Sequence, residues 1–321
     1  VALLRGAGGG LALAVLSAVT FGLAGSFAKA LIDAGWSANG AVLVRLGGGA
    51  AVLVVILLVT RPGVIAALRR DTSGLLVYGL LAMALVQLAF FNAVRYLAVP
   101  VALLLEYAGP VIVIGWVWLV RRQPPTRRTV LGGLVAVAGL LLVVRIWSAE
   151  SISWPGVAWG LLAACCQASY FLIADRAHSG GNATPPLVLA GVGMVIGTLA
   201  VAGFGWTGLL PVHVDPAATR VLLAGVDVGW PVAAGLLVLV ATVVAYLSGI
   251  LAIRRIGATR GALVGLLEVV AAALAAWLLL DQVPAPVQIL GGLLLLTGIA
   301  LTQTGARPPA PEPAAAASTT G

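Results

Sequence analysis

Between Leu11 and Gln303 the chain falls into ten apolar stretches separated by short connections that carry arginine. Each is about 18 to 24 residues long, and at about 1.5 Å of rise per residue such a helix crosses a hydrocarbon layer of roughly 30 Å. The chain is therefore read as an all-α polytopic membrane protein with ten transmembrane helices. Composition argues against a soluble alternative. Hydrophobic residues make up 61% of the chain and charged residues 9%, against roughly 25% charge in a soluble domain. Such a chain could not hide its apolar surface from water.

The helices are expected at 11–30, 40–59, 74–94, 97–119, 130–147, 154–175, 185–206, 232–253, 257–280 and 286–303. With the amino terminus inside, 13 arginines fall on the inner connections, among them Arg69, Arg70, Arg121, Arg122, Arg254 and Arg255. The outer connections carry Lys29, Arg95, Arg145 and Arg220, and Arg45 lies within a span. The positive-inside rule then places both termini in the cytoplasm, in a multi-pass protein of the cell inner membrane. The net charge of +8 is spread between spans and forms no basic patch, so it serves topology and not nucleic-acid binding. No cleaved signal is expected. The tryptophans at span ends, such as Trp36, Trp206, Trp230 and Trp277, suit the headgroup level. The connection from Thr207 to Pro231 is long enough for a short external surface helix, and the Ala- and Pro-rich tail 305–321 has no apolar face and is expected to be disordered.

A second signal is internal. Ala93, Arg95, Leu104, Trp118, Pro125, Gly132, Gly133, Leu134 and Gly139 recur 159 residues later as Ala252, Arg254, Leu263, Trp277, Pro284, Gly291, Gly292, Leu293 and Gly298. The ordered Trp, Pro, Gly-Gly-Leu, Gly series points to a duplication, with a first five-helix repeat over 1–150 and a second over 151–304. Five crossings per half turn the second repeat over relative to the first. Inverted repeats are a common frame for alternating-access carriers, although a duplicated scaffold or receptor-like interaction module would share it.

Ionisable groups inside the membrane are costly and mark candidate sites. Glu106 and Glu268 fall near the midplane of spans four and nine, and under the offset they are not equivalent: Glu106 maps to Gly265, and Gly109 maps to Glu268. Arg45 lies near the outer end of span two, where it either snorkels, neutralises a glutamate and anchors the bundle, or reads substrate. Gln87 and Asn92 in span three, and Gln167 and Tyr170 in span six, offer hydrogen bonds to a polar molecule or between helices. Tyr107 points about 100° away from Glu106 on an ideal helix and is not counted with it. Trp116 and Trp159 are available to pack beside substrate or within the bundle. Pro100 and Pro110 in span four are hinge candidates, with a fixed kink as the alternative.

No enzymatic constellation is present. The histidines, His178 and His213, lie outside the spans, and Cys165 and Cys166 are adjacent, without metal-ligand spacing. No catalytic residue, cofactor or metal is expected, and no nucleotide motif suggests direct ATP driving. The expected partners are a small polar metabolite and membrane lipid, with protons a candidate coupling ion, in a monomer or homodimer.

These residues resemble the drug/metabolite transporter superfamily, in particular its EamA-type branch. Phe21-Gly22 with Lys29 is similar to that family's first-helix pattern, where Trp is more usual than Phe. Arg45 resembles the arginine often found in helix two, and Ala93-Val94-Arg95-Tyr96-Leu97 with Pro110 resembles the helix-three to helix-four signature. Glu268-Val269 and Asp281-Gln282 stand where Glu-Pro and Gly-Glu are usual. The resemblance implies a ten-helix exporter or exchanger of small metabolites with a central cavity between repeats, with amino-acid export as one subtype and cationic drugs, nucleotide sugars or other solutes as alternatives.

Overall fold

A computed structural model describes residues 7–60, 64–120, 122, 124–145, 152–178, 184–215 and 220–305. The tail expected to be disordered lies, from residue 306 on, outside the described residues. In chain order the helices are α1 (Ala7–Asp33), α2 (Ala38–Thr60), α3 (Val64–Arg70), α4 (Thr72–Tyr78), α5 (Val86–Tyr96), α6 (Val99–Glu106), α7 (Gly109–Leu119) and α8 (Arg127–Val144). The second half holds α9 (Trp154–His178), α10 (Pro186–Trp206), α11 (Trp230–Gly235), α12 (Ala245–Ile256), α13 (Ala258–Gly265), α14 (Leu267–Leu280) and α15 (Pro286–Gly305).

Several of these are pieces of longer rods. The segment Gly79–Leu85 joins α4 to α5 in π-helical form, and Leu236–Val244 joins α11 to α12 in the same way. Apart from the seven-residue α3, ten rods result among the described residues, five in each half, and eight are long and apolar enough to cross a membrane. The other two are α9 and α15, the latter with its apolar part at Pro286–Thr302. Leu199, Leu293 and Leu58 point outward and are exposed, as expected of side chains solvated by lipid.

Pairing follows the duplication. α1 packs on α12 as α9 packs on α5, and the pairs α2 with α10 and α8 with α15 each join a span to its own equivalent. Spans five and ten meet through glycine. A Cβ on Gly132 would lie 2.7 Å from the Gly298 carbonyl oxygen, and one on Gly291 would lie 2.7 Å from that of Gly139. The offset of 159 carries Gly132 onto Gly291 and Gly139 onto Gly298, so one close backbone approach is made twice.

The same offset carries Val99–Glu106 onto Ala258–Gly265, the limits of α6 and α13. Spans four and nine are therefore broken at equivalent places, after Glu106 and after Gly265. Span four breaks where Pro110 enters the first turn of α7. Pro100 also occupies a first turn, that of α6, where its missing N–H removes no intrahelical bond. This corrects the expectation for Pro100: the interruption falls at Pro110. The π-helical segments overlap under the offset as well, Gly79–Leu85 falling on 238–244.

The connection between Thr207 and Pro231 also departs from expectation. It holds no surface helix among its described residues, but a hairpin of β1 (Val221–Leu223) and β2 (Val226–Val228). Ala224 and Gly225, with φ of 53° and 75°, make the two-residue turn, a left-handed pair whose twist suits an antiparallel hairpin. The connection is tied down at Trp36, whose Nε1 donates to the Asp215 carbonyl at 3.0 Å, and at Asn39, whose Nδ2 donates to the Pro211 carbonyl at 3.0 Å.

Candidate functional site

The two broken spans meet beside α1, and a cavity of about 160 Å³ lies at that junction. Phe21, Gly22, Ala24 and Gly25 of α1 form one wall, and Val99, Leu103 and Glu106 of α6 form another. Arg45 of α2, Gln87 and Phe90 of α5, and Glu268 and Ala272 of α14 complete it. At about 30 Å³ per water, such a space holds roughly five water molecules, or one small solute.

Glycine sets the wall spacing. A Cβ on Gly22 would lie 2.8 Å from the Glu268 carbonyl oxygen and from the Ala272 nitrogen, so only glycine lets α1 lie against the first turns of α14. At the other break a Cβ on Gly109 would meet the Gln167 side chain at 2.6 Å. Gln167 uses the room left there to donate from Nε2 to Glu106 Oε1 at 3.4 Å.

Arg45 is 3% exposed. It does not snorkel to the outer surface, as its position near a span end allowed; it turns inward. Its Nη1 donates to Gln87 Oε1 at 2.8 Å, its Nε to Thr242 Oγ1 at 3.1 Å, and its Nη2 to the Ala241 carbonyl at 3.4 Å. Thr242 and Ala241 belong to the π-helical segment of span eight, where the altered register leaves a carbonyl free for an outside donor. A guanidinium has five N–H donors, so two remain to face the cavity. Among the described residues neither glutamate comes within ion-pair distance of Arg45; the three charges share the cavity with space between them.

Glu268 lies in the first turn of α14, where helix-end N–H groups favour a negative charge. Tyr107 donates its hydroxyl to Glu268 Oε2 at 3.0 Å and approaches the Gly265 carbonyl at 3.3 Å, so it links the two breaks. Glu106 ends α6, at the opposite, negative pole of a helix, where the free carbonyls add to its charge. A cationic group is the partner this position favours.

The other expected residues lie elsewhere. Asn92 donates to Asn39 Oδ1 at 2.9 Å and to the Leu88 carbonyl at 2.8 Å, extending the hydrogen-bond chain by which Asn39 ties down the 207–231 connection. Tyr170 packs edge-on against Tyr78 with centroids 5.3 Å apart. Trp116 is exposed on α7, and Trp159 is half-buried against the apolar core. Among the described residues no group of three His, Cys, Asp or Glu side chains is placed to hold a metal.

Sequence reasoning missed Tyr107, Thr242 and Tyr246. The offset carried a usable signal for the last two. Gln87 maps to Tyr246 and Thr242 maps to Met83; Gln87 and Thr242 are bridged by Arg45, while Tyr246 donates directly to Met83 Sδ at 3.4 Å. One half of a symmetric frame thus holds a cation and the other an aromatic contact.

Two five-span repeats, broken helices at their junction and a polar cavity between them define a membrane transporter of the drug/metabolite type. The EamA-like transporter family model matches residues 8–145 and 154–304, and the chain belongs to that family. Its members carry small molecules across membranes, which makes this chain a multi-pass membrane transporter. Solved structures of the same fold exist, 14 chains in all. One, titled only as the crystal structure of a protein, is 18% identical, covers 92% of this chain and 97% of its own, and has a TM-score of 0.59. No curated protein matches.

Proposed function

We propose that this protein moves a small polar metabolite bearing both a cationic and an anionic group, such as an amino acid, by alternating access. The observation that carries this reading is the charge arrangement of the cavity. Two free N–H donors of Arg45 suit a carboxylate, and Glu106 at a helix carboxyl end suits an ammonium group. Among the described residues neither Arg45 nor Glu106 makes a direct ion pair, which leaves each able to pair with a ligand in the cavity they share.

Alternating access is supported by an asymmetry between equivalent elements. α6 is buried from Val99 to Leu105 and packs on α14. Its counterpart α13 leaves Arg260, Ala262 and Leu263 exposed, and α7 and α13 share at most marginal contact. The repeats are thus closed together at the end holding the Tyr96–Val99 turn and parted at the other. Exchanging the two arrangements would move the opening to the opposite side. At the closed end the Val99 N–H donates to Gln282 Oε1 at 3.0 Å across the junction of the repeats.

The test is saturable flux of amino acids and other small metabolites into sealed liposomes with sidedness and pH gradient controlled. Counterflow of a zwitterionic solute supports the reading, and flux restricted to solutes of one charge sign rejects it. Glu106→Gln keeps the volume and removes the charge; it is expected to lower flux at least about tenfold, the scale of one charged hydrogen bond. If Glu106 also carries a coupling proton, the pH dependence of flux vanishes in that variant. Wild-type kinetics and pH response in a correctly inserted Glu106→Gln protein would remove Glu106 from the site. With both termini proposed to be cytoplasmic, accessibility labels at positions 123 and 215 are expected to react from opposite sides, the first from the cytoplasm, in a background lacking Cys165 and Cys166.

A further inference from the structure

Behind the wall formed by α6 and α14 runs a second, larger space of about 500 Å³, opening sideways between α6, α14 and α15. Its surface is almost wholly apolar, made by Val101, Leu104, Val270, Ala273, Leu293 and Leu296. Gly292 deepens it, since a Cβ there would first meet Leu104 at 3.4 Å. At the closed end this groove runs into a more polar pocket of about 260 Å³, sharing Ala98, Val101 and Gln288 with it. Arg145, Ser153 and Tyr96 line that pocket.

Arg145 closes α8 in a left-handed conformation with φ of 55°. Its guanidinium makes no hydrogen bond or ion pair among the described residues. Arg95 precedes Tyr96, a residue that lines the pocket, and holds its guanidinium 5.3 Å from the Tyr96 ring. One cation, Arg145, therefore lines a polar pocket at the end of the spans, and an apolar slot leads from it between α6, α14 and α15. Asp281, which lines the groove at this end, is the acidic group facing it.

We propose that this composite site binds one phospholipid, with the phosphate on Arg145 and one acyl chain in the groove between α6, α14 and α15. Charge complementarity selects a phosphate-bearing headgroup, and the length of slot below it selects a molecule with an attached chain over a free anion. The acyl chain lies directly behind Leu104 and Val269, on the far side of the wall whose inner face carries Leu103 and Glu268. A lipid seated there braces the contact of α6 with α14 that closes this end of the protein.

The test is native mass spectrometry of the delipidated full chain titrated with a phosphatidylglycerol and, separately, with a diacylglycerol carrying the same chains. One phosphatidylglycerol is expected per protein, with diacylglycerol bound at least about tenfold more weakly, because it lacks the charge-assisted contact. Arg145→Gln is expected to weaken phosphatidylglycerol about tenfold, and Ala273→Trp or Leu293→Trp to abolish its binding by filling the slot. Leu134→Trp, at the position equivalent to Leu293 in the other half, leaves binding unchanged. Equal binding of the two lipids, or unchanged binding in Arg145→Gln or in both groove-filling variants, overturns the proposal. Thermal unfolding of each variant confirms that the fold is kept, and Arg145→Ala stands in for Arg145→Gln should the latter fail to fold.

Discussion

Gly139→Leu is expected to leave little folded protein. Gly139 sits where α8 crosses α15, and a Cβ there would lie 2.5 Å from the Gly291 carbonyl oxygen and 3.0 Å from the Leu295 Cα. Both neighbours are backbone, so no side-chain rotation relieves the clash, and the two spans must part along their seam. Overpacking of a tight core costs about 1–3 kcal/mol and more where the backbone has to move. In lipid the loss is compounded, because close contact between helices replaces the hydrophobic drive available in water. The control is Gly133→Leu, one residue from Gly132 on the same helix, where nothing lies within 4 Å of a new Cβ. That change is expected to stay within about 0.5 kcal/mol. Thermal unfolding and the yield of monodisperse protein in detergent decide the matter. Similar losses in both variants would mean that the seam is not what holds spans five and ten together.

The seam was partly legible in sequence, and the reason is instructive. Gly-Gly-Leu with a glycine seven residues after the first repeats at an interval of 159, and two glycines seven apart return to one face of a helix. What the pattern did not separate was Gly132 from Gly133: one touches the Gly298 backbone and the other faces open space. Spans were legible because length and apolarity are local properties. The breaks in spans four and nine were not. Pro110 marks the first, but the second has only Gly265, one of many glycines in the spans, and it is the equivalence of Leu266-Leu267 to Tyr107-Ala108 under the duplication that singles it out. The π-helical segments have no local signature either; they depend on what packs against the freed carbonyls, as Arg45 does on Ala241.

The candidate site was legible as a set of residue types and not as a geometry. Glu106, Glu268, Arg45 and Gln87 meet at the cavity, and Gln167 reaches it through Glu106. Asn92, Tyr170, Trp116 and Trp159 are the same kinds of residue at similar depths, and lie elsewhere because helix rotation, which the apolar spans do not reveal, turns them away. A span that is apolar all round has almost no amphipathic face to read. Polar groups within it report that something must satisfy them, and not which neighbour does.

Arg45→Lys is expected to keep the fold and lose transport by about a hundredfold. The guanidinium spans three acceptors on two elements, Gln87 on span three and Thr242 with the Ala241 carbonyl on span eight, with the Phe91 ring 5.4 Å from its central carbon. An ammonium on a shorter, flexible stem is a point charge and cannot hold that fork while presenting two further donors to the cavity. Losing about two charged hydrogen bonds costs about 3 kcal/mol, which corresponds to roughly a hundredfold in binding. The charge itself remains, so Glu106 and Glu268 are not left uncompensated and the bundle is expected to insert normally. Arg45→Gln removes that charge and is expected to fail on both counts, with lower stability as well as no flux. Saturable flux and thermal unfolding, measured on all three proteins, separate a geometric role from a purely electrostatic one. Wild-type flux in Arg45→Lys would mean that a positive charge is all the site requires, and would transfer the recognition of a substrate carboxylate from the fork of Arg45 to the general field of the cavity.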